Sequence, residues 1–165
     1  MEDKNLNFYI TKAVRSDVDE LAELYKSFYG GPAGWSVDYP NRDTIDFDLK
    51  RDSLFVMKNV SGEIVAAATI DDDKDAEELD IWTVSPARIL SRICVRRNMQ
   101  NRGLARRMLS YITGYMKDSG FKGARLLIHE GNDIAIRSYT RAGFHILGER
   151  LLDGINYICM EQEIQ

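Results

Sequence analysis

Residues 87–116 read ARILSRICVRRNMQNRGLARRMLSYITGYM, and the fold turns on how this stretch is parsed. Its first part, Ala87–Val95, is a long apolar run that reads as a strand. From Leu104 onward, Leu104, Ala105, Met108, Leu109, Ile112, Tyr115 and Met116 recur at helical spacing and form one apolar stripe. Ser119-Gly120 ends that helix. Between the two lies a short turn holding Gly103, with Arg102, Arg106 and Arg107 around it. The chain therefore leaves a strand, turns at a glycine and enters a helix. The first backbone N–H groups of a helix have no intrahelical acceptor, and the helix dipole places partial positive charge beside them. Gly103 removes the side chain where a ligand would come closest. A phosphate or pyrophosphate suits such a place. The segment is neither a GxxxxGK[ST] loop nor a GxGxxG fingerprint. Taken alone, it reads equally well as a solvated basic helix start.

Upstream, NFYITKAV (Asn7–Val14) alternates like a first strand. Ser16, with Asp19 three residues on, reads as the N-cap of a helix whose stripe is Val18, Leu21, Leu24, Tyr25 and Phe28. The glycine-rich stretch Tyr29–Trp35 ends that helix and opens a loop. Arg42–Asp52 reads as a short helix. Ser53–Asn59 and Gly62–Ile70 read as strands joined by Val60-Ser61-Gly62 into an antiparallel hairpin. Asp71–Asp80 reads as an acidic loop.

Downstream, Ala124–Glu130 is a short, mostly apolar strand, as expected where both faces are covered. Asn132 caps a helix running to about Ala142. Gly143–Gly148 leads into another strand, and Gly154–Ile164 forms the last. The order is β-α-α-β-β-β-α-β-α-β-β. The unit from Ala87 to Glu130 is expected to be a right-handed crossover between parallel strands. The expected product is a single α/β (α+β) domain over residues 1–165, with a mixed sheet of about seven strands flanked by about four helices.

Composition excludes several function classes. Lys and Arg total 22 against 26 Asp and Glu, a net charge of −4. That argues against nucleic-acid or anionic-membrane binding, which relies on a basic face. No apolar run approaches the roughly 20 residues of a membrane span. The acidic, mixed N-terminus is not a signal peptide. Cys94, Cys159, His129 and His145 all fall in apolar, strand-like runs without metal-ligand spacing. No metal site and no disulfide are expected, and the expected compartment is the reducing cytoplasm.

A second constellation gives the turn its meaning. NDIAIRSYTRAGF places Asn132, Ala135, Tyr139, Gly143 and Phe144 in the pattern N-x2-A-x3-Y-x3-G-F. Together, QNRGLA (100–105) and this helix resemble the GCN5-related N-acetyltransferase (GNAT) superfamily, over about Leu6 to Glu163. The one departure in the loop is Ala105, where glycine is commoner.

The resemblance implies a mostly antiparallel sheet with a splayed parallel pair, and acetyl-CoA (coenzyme A) as cofactor. It implies that Gln100, Asn101, Arg102, Gly103, Leu104, Ala105 and Arg106 hold the pyrophosphate. It further implies that Ile93, Cys94 and Val95 line the pantetheine arm, and that a backbone N–H near Ile93 or Val95 polarises the thioester carbonyl. Asn132 becomes both cap and cofactor contact. Tyr139 becomes the catalytic acid that protonates the departing thiolate, since a phenol near pKa 10 and a thiol near 8.5 differ little.

The implied reaction is direct attack of a primary amine on acetyl-CoA in a ternary complex. The acceptor is a small molecule or a peptide, and a homodimer is common for the fold. Many family members carry a glutamate on the strand before the loop, but Ala87–Val95 holds no carboxylate. Glu77, Glu78 and Asp80 are the nearest candidates for a base, or form a solvated acidic loop. Tyr29 and Trp35 on one side, and Trp82 on the other, either wall the acceptor or fill the core. A Cys94/His129 acyl-transfer pair lacks an orienting third residue. Two alternatives remain open: a GNAT fold that senses acyl-CoA without turnover, and a nucleotide binder sharing only the helix start.

Overall fold

The structure, a computed structural model, describes residues 7–165. Residues 1–6, with Leu6 at the start of the resemblance, lie outside the described part. A seven-stranded sheet has the order β1-β2-β3-β4-β5-β7-β6. Its strands are β1 (Phe8–Lys12), β2 (Leu54–Asn59), β3 (Ile64–Ile70), β4 (Ala87–Val95), β5 (Gly123–His129), β6 (His145–Leu152) and β7 (Ile155–Glu163). The helices are α1 (Val18–Lys26), α2 (Arg42–Lys50), the one-turn α3 (Lys74–Glu77), α4 (Leu104–Asp118) and α5 (Asp133–Arg141). All pairings are antiparallel except β4 with β5.

Alternation along the strands sends side chains to two cores. Phe55, Met57, Ala66 and Ala68 face α4, where Met108, Leu109, Ile112 and Met116 bury one stripe. Leu54, Val56, Ala67 and Cys94 face α1 and α2, against Leu21, Leu24, Tyr25 and Ile45. The three alanines of β3 are fully buried, so helices on both faces can approach the sheet's centre closely.

Two readings of the sequence are corrected. Ser16 does not cap α1. The Asp17 carboxylate accepts the Val14 N–H at 2.8 Å and pairs with Lys58, which folds Arg15–Asp17 into a 3-10 turn. That turn also ends β1 at Lys12. The acidic run Asp71–Asp80 is not a plain solvated loop, because Asp73 caps α3 through the Ala76 N–H. Glu77 then turns inward: one oxygen accepts the Ile89 N–H at 2.5 Å, and the other meets Arg125 at 2.5 Å. Arg125 is the register partner of Glu161, whose buried carboxylate accepts the N–H groups of Thr83 and Val84 and the Thr83 hydroxyl. This brace ties β4, β5 and β7 together at one end of the sheet.

At the other end the sheet opens. The β4–β5 pairing covers only Ala87–Ile89 against Gly123–Arg125, and the strands part beyond it. On its other side β4 carries a bulge: Ala67 pairs with Cys94 and Thr69 with Ser91, so Ala68 opposes both Arg92 and Ile93. Arg92 sits in the left-handed region at φ 51°. An extra residue in one strand bends it and sharpens its twist, which turns β4 away from β5 just past Ile89.

Candidate active site

The loop leaving β4 runs to the open end of the gap. A 3-10 turn at Arg97–Met99 follows the strand, and Gln100 donates from Nε2 to the Val95 carbonyl at 3.0 Å. Asn101 and Gly103 both take left-handed conformations, at φ 62° and 74°. Gly103 is the N-cap of α4, and space is open where its Cβ would stand. The first helical bond of α4 runs from Arg107 N to Gly103 O at 3.0 Å. The amides of Leu104, Ala105 and Arg106 precede it, so they have no acceptor within the helix. Leu104 is buried and fixes the helix start on the core. Arg102 and Arg106 are exposed beside these amides. Arg107 turns the other way and donates to the Phe8 carbonyl at 2.8 Å, so it belongs to the attachment of α4 rather than to the rim. This cradle fits a pyrophosphate: open amides, a helix dipole, a glycine with free space and two exposed guanidinium groups.

Along the gap, Arg96 N still bonds to Val65 O, so the alternating groups of Ile93 and Val95 point away from β3, towards the side β5 has left. Their side chains pack with the α4 core, whereas Cys94 is buried on the α1 and α2 face. A linear chain of amides can pair with this strand edge as an added strand would.

Tyr139, from α5, packs on the same core as Ile93 and Val95. Its ring packs against Phe144 with centroids 6.5 Å apart. Its phenol is close enough to interact electrostatically with Cys94, and burial, aided by that neighbour, raises its pKa. Burial pushes the Cys94 thiol up to about 12. Burial disfavours the charged form of both groups, which argues against Cys94 as a nucleophile. His129, the other half of the conceivable acyl-transfer pair, instead supports the α1–α2 loop. Gly34 lies so close that a Cβ there would stand 2.4 Å from the imidazole Cε1, and His129 stands edge-on to Tyr157. Asn132 caps α5 by accepting the Ala135 N–H at 3.4 Å.

The residues proposed from sequence for the acceptor do not converge. Trp35 is 9% exposed and packs edge-on to Tyr25 and Phe28 at 5.4 and 5.9 Å. Tyr29 donates to the Pro40 carbonyl at 2.6 Å. Trp82 donates to the Ala76 carbonyl at 2.9 Å and stacks beneath Arg125. Glu78 is exposed near Lys74, and exposed Asp80 pairs with Arg150 at 2.8 Å.

A cluster that sequence reading passed over lies behind the bulge instead. Arg92 binds Asp48 through Nε and Nη2, both at 2.8 Å, and Asp71 through Nη2 and Nη1 at 3.0 and 3.2 Å. Its Nη1 also donates to the Tyr39 hydroxyl at 2.7 Å. Arg51 and Thr69 complete the shell around Asp48. Burial opposes the charge on Asp71, but Arg92 and a bond from Ser91 outweigh it and lower its pKa. The available signal was an arginine inside an apolar strand and an aspartate on a buried helix face, since buried charges must find partners.

Among the described residues there is no grouping of three metal-binding side chains and no helix long and apolar enough to cross a membrane. The model of the family described as Acetyltransferase (GNAT) family matches residues 18–144. The chain belongs to that family: it is an acyltransferase of the N-acetyltransferase kind, and acetyl-CoA is its cosubstrate. No curated protein matches it by sequence. Among solved structures, it resembles the ribosomal-protein-S18-alanine N-acetyltransferase from Escherichia coli at 20% identity and a TM-score of 0.71, over 96% of this chain and 94% of that one. It also resembles a phosphinothricin acetyltransferase from Sinorhizobium meliloti in complex with acetyl-CoA, at 16% identity and a TM-score of 0.73, over 96% and 89%. A chimeric spermidine N-acetyltransferase from Vibrio cholerae matches at 15% identity and a TM-score of 0.69, over 95% of each chain.

Proposed function

We propose that the protein transfers the acetyl group of acetyl-CoA to a primary amine by direct attack within a ternary complex. The observation that carries this reading is the adjacency of an amide-lined helix start to a gap between two parallel strands, with the phenol-bearing Tyr139 packed on the core that Ile93 and Val95 line. In this reading the backbone of Gln100–Arg106 holds the pyrophosphate, and Arg102 and Arg106 add charge. The β4 edge at Ile93 and Val95, where the Val95 carbonyl already accepts from Gln100, receives the pantetheine amides, and a backbone N–H there polarises the thioester carbonyl. Asn132 keeps the start of α5, and with it Tyr139, in place.

Tyr139 holds the proton that the departing sulfur needs. Burial disfavours the charged form of a thiolate as it does that of a phenol, so a phenol whose pKa burial has raised can still protonate a sulfur that leaves in an equally dry place. The amine must arrive neutral or lose its proton on the way. Glu77 is committed to Arg125 and the Ile89 N–H, so that proton leaves by water rather than through a carboxylate on β4. Two separate, buried free thiols accord with a reducing cytoplasm.

The test is thiol release from acetyl-CoA across a panel of amines, with both substrates varied. Intersecting initial-rate lines and no acetylated protein in the mass spectrum are expected. Parallel lines with an acetyl adduct would refute direct attack. Tyr139→Phe is expected to lower kcat roughly a hundredfold while acetyl-CoA still binds.

A further inference from the structure

We infer that Tyr39, held through its oxygen by Arg92, is the specificity residue of the acceptor site, and that the amine acetylated here carries an uncharged oxygen, a carbonyl or hydroxyl, near its nitrogen. The inference rests on the acetyltransferase reading above and adds the acceptor's chemistry to it.

The argument starts with what Arg92 cannot do. A guanidinium has five N–H groups. In Arg92, Nε bonds Asp48, Nη2 bonds Asp48 and Asp71, and Nη1 bonds Tyr39 and Asp71. None is left to bind a substrate carboxylate. The charges within the cluster also balance, with Arg92 and Arg51 against Asp48 and Asp71. An acceptor arriving at this wall meets a compensated cluster, so the contact must come from an uncharged group.

Tyr39 is that group. Its oxygen accepts from Arg92, and its own proton has no acceptor in any hydrogen bond among the described residues. Arg92 draws electron density from the oxygen, which makes the remaining O–H a stronger donor. The residue is 47% exposed, so it is open to a molecule arriving at this wall.

Its place is also right. Arg92 precedes Ile93 at the bulge where the strands part. The loop that bears Tyr39 reaches both sides of the gap: Tyr39 bonds Arg92 of β4, and Gly34 packs directly on His129 at the end of β5. The loop bearing it is fixed in advance: Ser36 and Tyr39 exchange two backbone bonds, at 2.8 and 3.0 Å, and Tyr29 bonds the Pro40 carbonyl.

A lone O–H donor selects among amines. Its free proton finds no acceptor on an ammonium ion, and the neutral amine needs its lone pair for the attack. The donor therefore serves an oxygen elsewhere on the acceptor. Arg92 acts through Tyr39 and is a positioning residue.

The test is calorimetric titration of protein saturated with CoA, which needs no turnover. The probes are alaninamide, an alkylamine in which isopropyl replaces the carboxamide, and free alanine. Alaninamide is expected to bind roughly fivefold to tenfold tighter than the alkylamine, the range of one hydrogen bond. Tyr39→Phe is expected to erase that difference without changing acetyl-CoA affinity, and Arg92→Lys, which cannot make five bonds, to erase it too. The proposal is overturned if the wild type does not discriminate, if Tyr39→Phe weakens both amines equally, or if alanine binds tighter than its amide. Failure of the acetyltransferase reading would look different: acetyl-CoA bound, and no amine in the panel consumed.

Discussion

Arg92 and Asp48 meet as a two-point pair, Nε to Oδ2 and Nη2 to Oδ1 both at 2.8 Å, with side chains only 4% and 0% exposed. One comes from a bulged strand and the other from α2, so the pair ties this face of the sheet to its covering helix. Removing one partner of such a pair leaves a charge buried without compensation. Asp48→Ala is expected to cost about 3–5 kcal/mol in urea unfolding. A loss well under 1 kcal/mol would show that Asp71 and Arg51 can absorb the change.

Gly103 separates binding from folding. Its φ of 74° disfavours a side chain, but nothing lies within 4 Å of the Cβ position. Gly103→Ala should cost roughly 1–2 kcal/mol of backbone strain and keep the fold. Gly103→Trp should stay folded by circular dichroism yet fail to bind acetyl-CoA in calorimetry. Normal binding by that variant would place the phosphates elsewhere.

The Tyr25 hydroxyl is fully buried and has no hydrogen-bond partner among the described residues. Such a group costs stability, so Tyr25→Phe is expected to raise unfolding free energy by about 1 kcal/mol. A clear loss instead would mean that the hydroxyl is satisfied, for instance by a buried water.

Asp71 predicts a pH dependence. Burial works against its charge, but Arg92 and the bonds from Ser91 and the Asp72 amide win, and its folded pKa lies below the ordinary value. A lowered folded pKa contributes stability above the unfolded pKa of about 3.9, and that contribution fades as pH falls through the folded value. Stability attributable to Asp71 should therefore be level near neutral pH and decline below about pH 4. Asp71→Asn should flatten that acid limb in urea titrations. An unchanged slope would remove Asp71 from the account.

What could be read from the sequence was local. The stripe from Leu104 to Met116, the glycine before it and the Asn132–Phe144 spacing each lie within one short, continuous segment, so periodicity exposes them. The hairpin of β2 and β3 was legible for the same reason. The Arg92 cluster was not, because its members stand 21, 44 and 53 positions apart and meet only once the sheet has formed. The bulge that aims Arg92 depends on register with β3, which no property of β4 alone encodes. The acidic run misled because carboxylates in sequence carry no mark of their partners. Glu77 finds Arg125 across 48 positions, and only then ceases to be a surface charge. Trp35 and Trp82 were ambiguous for a related reason, since an aromatic that walls a pocket and one that props a loop have the same composition.

The bond from Arg107 to the Phe8 carbonyl spans 99 positions and fastens the helix that opens at the phosphate cradle to the outermost strand. Mechanically, the first strand and the start of α4 are hitched together, so the position of the Leu104–Arg106 amides is set in part by where β1 lies.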